Sequence, residues 1–157
     1  MSETNEAATR LALAESEANT HLALAEALVR AENVGEAVTE YRSALRLRPA
    51  LGSAIVVGNL GWTEYLAGHI ADSIETSRSA LVKDAALTGV RLNLGLSYAT
   101  LNDWPGAKKE YDLALKVASK GEVQAGITDV RDAAKKRSNP ALRKALAYLN
   151  DALSKIK

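Results

Sequence analysis

The amino-acid sequence predicts an all-α protein built as one stack of antiparallel helical hairpins, and three observations predict it. Ala and Leu, which have high helix propensity, recur along all 157 residues, whereas Phe and Cys are absent and Pro occurs three times. The chain matches itself at a shift of about 34 residues, a period typical of helical repeat proteins. Each period contains two stretches in which apolar residues recur at helical spacing, with a turn between them.

The internal repeat is visible in identical residues that coincide after the shift. Shifts of 34, 36 and 70 residues place Asn59-Leu60-Gly61 on Asn93-Leu94-Gly95, Ala44-Leu45 on Ala80-Leu81, and Tyr41 on Tyr111. We therefore expect a single domain over residues 1–157. Its parts are an N-terminal tail or partial helix at 1–17, repeats at about 18–51, 54–87 and 88–121, and a degenerate fourth hairpin with capping helices at 122–157.

Local signals mark the elements of the first two repeats. Residues 5–15 are rich in Glu and are expected to form a short helix, either the remnant of an earlier repeat or a fraying tail. Asn33, with Glu36 three residues later, predicts a capping box at the start of the next helix. Pro49 ends that helix, because proline lacks the amide donor that a helix needs. Gly68 is expected to close a helix in the left-handed conformation.

The third repeat and the C-terminal segment carry similar signals. Asp103 is a suitable N-cap, and Pro105 follows in the first turn, where a missing N–H costs nothing. A last helix is predicted from about residue 141 to 156. Its apolar stripe consists of Leu142, Leu146, Leu149, Leu153 and Ile156. Such a helix, apolar inside and charged outside, would close the end of a repeat stack.

Small residues and tyrosines recur at matching positions of the repeats. Gly61 and Gly95 remove bulk from the first helices, where paired helices are expected to cross closely. Tyr41, Tyr98 and Tyr111 are then expected to fill the spaces between hairpins.

Together these residues resemble the tetratricopeptide repeat (TPR) family. The family signature has Leu-Gly, a Tyr three residues after the Gly, an Ala, an aromatic residue four positions later and a final Pro. The third repeat matches best, through Leu94-Gly95, Tyr98, Ala107 and Tyr111, although Ser119 replaces the Pro. The other two match in part, through Ala37, Tyr41 and Pro49 in the first and Leu60-Gly61, Gly68 and Ala80 in the second. The resemblance covers about residues 18–121 and implies a right-handed superhelix, a TPR solenoid, that binds other proteins.

Nothing in the sequence indicates catalysis, a cofactor or a metal site. His21 and His69 lie in different repeats without metal-ligand spacing. No glycine elbow surrounds a nucleophile, and no glycine-rich loop is suited to binding phosphate. We therefore predict that the protein is not an enzyme and has no catalytic, cofactor-binding or metal-ligating residues.

Charge and hydropathy restrict the partners further. The net charge is +1, and the basic run Lys135-Lys136-Arg137 fits a helix C-terminus better than a nucleic-acid site, because no aromatic residues alternate with it. No apolar run reaches the roughly 20 residues that a bilayer span needs, and no secretory signal is visible. We expect no nucleic-acid partner, no membrane insertion and, by default, a cytoplasmic location.

The resemblance implies that the first helix of every hairpin lines a concave groove. Projecting the helical period onto the second and third repeats predicts a peptide-binding surface made of Ile55, Asn59, Trp62, Tyr65, Leu92, Asn93 and Leu96. Its centre would hold no formal charge. Trp62 would be the apolar anchor. Successive Asn side chains, each a donor and an acceptor, could pair with the backbone of an extended peptide, as they do in similar repeat arrays.

A packing alternative and a comparison with a known type of ligand site both bear on this predicted groove. Trp62 and Tyr65 could instead pack between hairpins, with Asn59 and Asn93 satisfying local polar groups. The family's chaperone-binding members clamp a C-terminal carboxylate with Lys and Arg. The positions that match this clamp hold Leu22, Glu26, Gly89, Asn93 and Asn59. Only Asn59 is the type of residue that the clamp has at its position. The sequence therefore argues against a carboxylate-clamp co-chaperone.

We predict a protein-interaction module, a scaffold or adaptor that binds a peptide or partner helix in the concave groove. One alternative is self-assembly into a head-to-tail homo-oligomer. Residues 1–40 contain eight acidic and two basic side chains, whereas residues 106–157 contain twelve basic and six acidic ones, and opposed ends of this kind could associate. Another alternative is a regulatory or targeting segment of a longer protein.

Overall fold

The computed structural model describes residues 3–156, and this part of the chain is all-helical. Its α-helices are α1 (Glu3–Arg30), α2 (Val34–Leu47), α3 (Ala54–Leu66), α4 (Ile70–Lys83), α5 (Thr88–Thr100), α6 (Trp104–Ala114), α7 (Lys120–Lys136) and α8 (Pro140–Lys155). A single 3₁₀ turn, Pro49–Leu51, connects α2 to α3. The predicted fold class is confirmed.

Consecutive helices pair into four hairpins, which stack along the chain. Within the hairpins, α1 packs on α2, α3 on α4, α5 on α6 and α7 on α8. The first three hairpins join through the second helix of one and the first helix of the next, α2 on α3 and α4 on α5. The fourth hairpin docks differently, because α7 lies on α5 while α8 contacts both α5 and α6. The last hairpin therefore covers more of the third than a regular repeat would.

The N-terminal helix is longer than expected. Residues 5–15 are not a separate short helix but the first half of α1, which runs without interruption from Glu3 to Arg30 because no Gly or Pro breaks it. Arg48, just after α2, forms an ion pair with Glu15 at 3.5 Å. The part of α1 before this point extends beyond α2, and Leu11 and Leu13 in it are 62% and 65% exposed.

The turns inside the first three hairpins share one backbone conformation. Glu32, Gly68 and Asn102 occupy equivalent positions and have positive φ angles of 59°, 83° and 62°. This left-handed residue ends the first helix of each hairpin, as predicted for Gly68. The capping box predicted at Asn33 does not form, since the Asn33 side chain makes no cap hydrogen bond, whereas Asp103 caps α6 from a similar backbone conformation. The box occurs at Ser119 and Glu122, at the start of α7.

Close helix crossings lie where the sequence placed them. A Cβ at Gly95 would lie 2.6 Å from the Tyr111 ring, and a Cβ at Gly61 would lie 2.7 Å from the Ser77 hydroxyl. Tyr41 and Tyr111 are 2% and 0% exposed. The predicted C-terminal helix is also confirmed: Leu142 and Leu149 are buried, and the remaining stripe residues are half-buried.

Candidate functional site

The face formed by the first helices of the hairpins carries a groove with two neighbouring cavities. The larger, about 400 Å³, lies between α3 and α5 and is bordered by Ile55, Gly58, Asn59, Trp62, Ala86, Leu87, Thr88, Gly89, Val90, Asn93 and Glu122. The smaller, about 300 Å³, is bordered by Glu26, Val29, Arg30, Tyr41, Asn59, Trp62 and Thr63. Asn59 and Trp62 border both cavities and therefore form the ridge between them.

Four of the seven predicted site residues surround the larger cavity: Ile55, Asn59, Trp62 and Asn93. Ile55 is 63% exposed and Trp62 is half-buried. A close approach of the two helices brings them together, since a Cβ at Gly58 of α3 would lie 2.7 Å from a methyl group of Val90 in α5. Sequence reasoning did not use Gly58, although a glycine inside an apolar helix is a signal for close packing.

Tyr65 supports the site from beside the cavity. Its ring stacks on Trp62 with the centroids 5.3 Å apart and the planes 9° from parallel. Its hydroxyl lies 3.1 Å from the Thr100 hydroxyl of α5, and burial raises the pKa of its phenol. Tyr65 borders a separate cavity of about 200 Å³ together with Thr100 and Ala133. It therefore packs against one face of the Trp62 indole.

Leu92 and Leu96 do not lie on the groove surface. They are 5% and 2% exposed and belong to the core that α5 shares with α6, α7 and α8. Helix α7 covers them and brings Gly126 against the Leu92 side chain, where a Cβ would make ordinary van der Waals contact with the Leu92 methyl groups at 3.7 Å. The helical period predicted the correct face of α5, but the fourth hairpin covers that part of it.

The amide side chains of Asn59 and Asn93 form no hydrogen bond with any residue of the described range 3–156. Their backbone carbonyls do accept hydrogen bonds, from the Thr63 hydroxyl at 2.7 Å and the Ser97 hydroxyl at 3.0 Å. The alternative in which these amides satisfy local polar groups is therefore not observed. The packing alternative holds in part, because Trp62 and Tyr65 contact the C-terminal core while Trp62 still borders both cavities.

The groove carries charged groups that the sequence analysis did not place there. Glu26 and Arg30 border the smaller cavity. Glu122 borders the larger one, but its carboxylate accepts hydrogen bonds from the Ser119 amide at 2.7 Å and hydroxyl at 2.8 Å, which hold its pKa below the ordinary value. Asp129 of α7 borders neither cavity, but it is half-buried, and burial raises its pKa. The prediction of a centre without formal charge therefore needs revision.

The histidines take no part in the groove. His21 forms a hydrogen bond with Glu40 and lies 3.9 Å from Glu17, and His69 precedes α4 as an exposed residue. Within residues 3–156, no group of three or more His, Cys, Asp or Glu side chains is arranged to hold a metal ion. None of the helices described is both long and apolar enough to cross a membrane.

Comparison with known proteins identifies the fold. No family model matches the chain, and no curated protein matches it. Among solved structures, 36 chains match. One is the Arabidopsis OM64 TPR domain, with a TM-score of 0.55 and 16% sequence identity over 88% of this chain and 98% of that domain. The protein therefore has the fold of a tetratricopeptide repeat domain.

Proposed function

We propose that the protein is an interaction module that binds an extended segment of a partner protein along its groove. The observation that carries the proposal is the position of Trp62, on the ridge between two cavities and beside two unused amides. TPR domains are helical-repeat scaffolds for protein interaction, which supports the general part of this proposal. The groove and its residues are the specific part.

The chemistry of the groove suits a peptide backbone with apolar side chains. Trp62 offers a half-exposed indole, held by Tyr65, and aromatic residues of this kind contribute much of the binding energy at interfaces. Asn59 and Asn93 each offer a donor and an acceptor. Because these groups have no internal partner, a peptide would gain their hydrogen bonds without breaking existing ones.

The lining of the larger cavity also argues against a carboxylate ligand there. Among residues 3–156, no Lys or Arg borders it, and the one charged residue that does is the acidic Glu122. Gly89 and Asn93 occupy two positions at which a carboxylate clamp would need cations. The favoured ligand is therefore an internal segment of a partner and not a free C-terminus.

A displayed library of random peptides, selected on the immobilised protein, tests this proposal. The selected peptides are then titrated against wild type, Trp62→Ala and the control Val82→Ala, since Val82 is 88% exposed and lies away from both cavities. We expect Trp62→Ala to lower affinity by about thirtyfold, equivalent to about 2 kcal/mol, and Val82→Ala to leave it unchanged.

The contrary result is equally specific. If Trp62→Ala folds and binds normally while substitution of Lys135 and Lys136 abolishes binding, the groove proposal is wrong. The basic C-terminal face would then be the binding surface.

A second candidate function is self-assembly, favoured by the first half of α1. This segment extends beyond α2 and leaves Leu11 and Leu13 largely exposed. It is also part of the acidic N-terminal region, whereas the C-terminal region is basic. A second copy of the chain could cover these leucines and neutralise the opposite charges.

A further inference from the structure

We propose that the groove recognises a basic side chain of its partner, an arginine held between the Asp129 carboxylate and the stacked rings of Trp62 and Tyr65. This inference rests on the proposed function and adds the chemical class of the ligand. The arginine would supply the counter-charge that the protein itself does not provide at Asp129.

Helical register places Asp129 on the face of α7 that is turned towards α5 and the Tyr65 cavity, although Asp129 itself borders neither cavity of the groove. Three residues before it, Gly126 faces the Leu92 side chain of α5. Four residues after it, Ala133 borders the cavity of about 200 Å³ that also contains Tyr65 and Thr100. Residues spaced by three and four share one face of a helix. Asp129 therefore lies between the α5 contact and the Tyr65 cavity.

The Asp129 carboxylate has no partner in the structure. It is half-buried, yet it forms no hydrogen bond or ion pair with any residue between 3 and 156. Its neighbour Asp132 differs, because Asp132 is exposed and forms an ion pair with Lys135 at 3.1 Å. A half-buried charge without a partner is unfavourable. A bound cation would remove that cost.

Electrostatic effects agree with this position. Burial is the main cause of the raised pKa of Asp129, and the nearby Asp132 raises it further. Asp129 in turn contributes to the raised pKa values of Tyr65 and the buried Tyr111, although burial is the larger cause for both. The carboxylate therefore acts on the phenol that supports Trp62.

The aromatic pair favours arginine over other cations. Trp62 and Tyr65 lie nearly parallel, and Thr100 holds the Tyr65 hydroxyl. A planar guanidinium can stack on an aromatic face while it donates two hydrogen bonds to one carboxylate, which an ammonium cannot do in the same geometry. Lys136 and Arg137 border the Tyr65 cavity, are exposed, and form no ion pair with Asp129. They leave the carboxylate available.

The test uses two capped tripeptides, acetyl-Leu-Arg-Leu-amide and acetyl-Leu-citrulline-Leu-amide. Citrulline has nearly the shape of arginine but no charge. Binding is followed by the NMR shift of the Trp62 indole N–H, assigned with a Trp62→Phe variant. We expect the arginine peptide to bind at least about tenfold more tightly. In Asp129→Asn the two peptides should bind equally, whereas the matched control Asp132→Asn should keep the difference.

Stability separates a recognition role from a structural one. Because the raised pKa means that the folded state disfavours the Asp129 charge at neutral pH, Asp129→Asn should unfold at the same or a higher urea concentration. A lower midpoint would make Asp129 a structural group and overturn the proposal. Equal binding of both peptides to wild type with a shift at Trp62 would overturn the arginine site alone. If neither peptide shifts Trp62, the arginine site is overturned, whereas the groove proposal is decided separately by the titration of the selected peptides.

Discussion

Gly95 of α5 lies directly against the ring of Tyr111 of α6, so close that a methyl group at position 95 would be 2.6 Å from the ring. Tyr111 is fully buried and cannot move aside. The contact sets the distance between the two helices of the third hairpin. Since α5 also carries Asn93, it helps to position one wall of the groove.

We expect Gly95→Ala to lower the free energy of unfolding by roughly 1–3 kcal/mol, because the added methyl group overpacks the crossing. This is a net loss, because the cost of overpacking should exceed the gain of about 1 kcal/mol in helix propensity from Gly to Ala. Gly121→Ala in α7 is the matched control, since a Cβ there meets nothing within 4 Å, and it should be neutral or stabilising. Urea unfolding measures both. A Gly95→Ala protein as stable as wild type would contradict the observed crossing.

A second prediction concerns the ion pair that joins the first two hairpins. The guanidinium of Arg42 in α2 lies 2.8 Å from the carboxylate of Glu64 in α3, whose side chain is 2% exposed, and also 2.8 Å from Asp72 in α4. Arg42→Met leaves Glu64 buried without a counter-charge. We expect a loss of about 2–3 kcal/mol of unfolding free energy, since Arg42 itself is half-exposed and water replaces part of the interaction.

The control for this pair is Arg10→Met, whose partner Glu6 is exposed like Arg10 itself. Exposed pairs contribute little, so we expect a change within about 0.5 kcal/mol. A double variant Arg42→Met/Glu64→Gln should recover part of the loss. Equal effects of Arg42→Met and Arg10→Met would show that burial of Glu64 is not important.

A third prediction concerns acid stability at the contact between α6 and α8. Asp112 accepts a hydrogen bond from Lys108 at 2.7 Å and another from the Tyr148 hydroxyl. These two hydrogen bonds hold the pKa of Asp112 below its ordinary value, and the bond from Lys108 has the larger effect. Because the pKa of Asp112 is lower in the folded state, its charge stabilises the fold at pH values above the ordinary pKa of about 4. This stabilisation is lost as the pH falls below that value.

Asp112→Asn should therefore be less stable than wild type at pH 6, and the difference should shrink as pH falls from about 4 towards 2. Unfolding free energies of both proteins, measured by urea titration across this range, provide the comparison. A difference that stays constant with pH would exclude the proposed linkage.

A fourth prediction concerns the two groove amides. Asn59→Ala and Asn93→Ala should each lower the affinity of a selected peptide by roughly 0.5–1.5 kcal/mol, because each removes a hydrogen bond to the ligand. The preferred peptide sequence should not change, since these amides are expected to contact backbone. Asn150→Ala is the control, because Asn150 is an exposed residue of α8. A changed peptide preference would show that the amides contact ligand side chains.

A fifth prediction tests self-assembly through α1. If the acidic N-terminal region docks on a second copy, sedimentation should show oligomers that weaken as salt rises, because exposed charges are screened beyond about 8–10 Å at physiological ionic strength. Leu11→Ser/Leu13→Ser should abolish them without unfolding the protein, since both leucines are largely exposed. A monomer at low salt and high protein concentration would eliminate this candidate.

The repeat, the helical hairpins and several local features follow from the amino-acid sequence alone. The left-handed Gly68, the Asp103 cap and the crossing at Gly95 were all predictable. These features depend on a few neighbouring residues or on a periodic pattern, and such signals are present in the chain before it folds. The predicted capping box at Asn33 does not form, and the backbone of this turn is not the reason, because Asp103 caps α6 with a similar φ of −92° and ψ of 84°.

Which part of the groove face stays open depends on the packing of helices that are distant in the sequence. The helical period shows that Leu92, Leu96 and Asn93 share a region of α5, but it does not show what covers them. The irregular docking of α7 and α8 buries both leucines and brings Asp129 near enough to Tyr65 for its charge to raise the pKa of that phenol. Burial of a side chain depends on how distant elements pack, and a degenerate last hairpin carries no repeat signal from which that packing could be inferred.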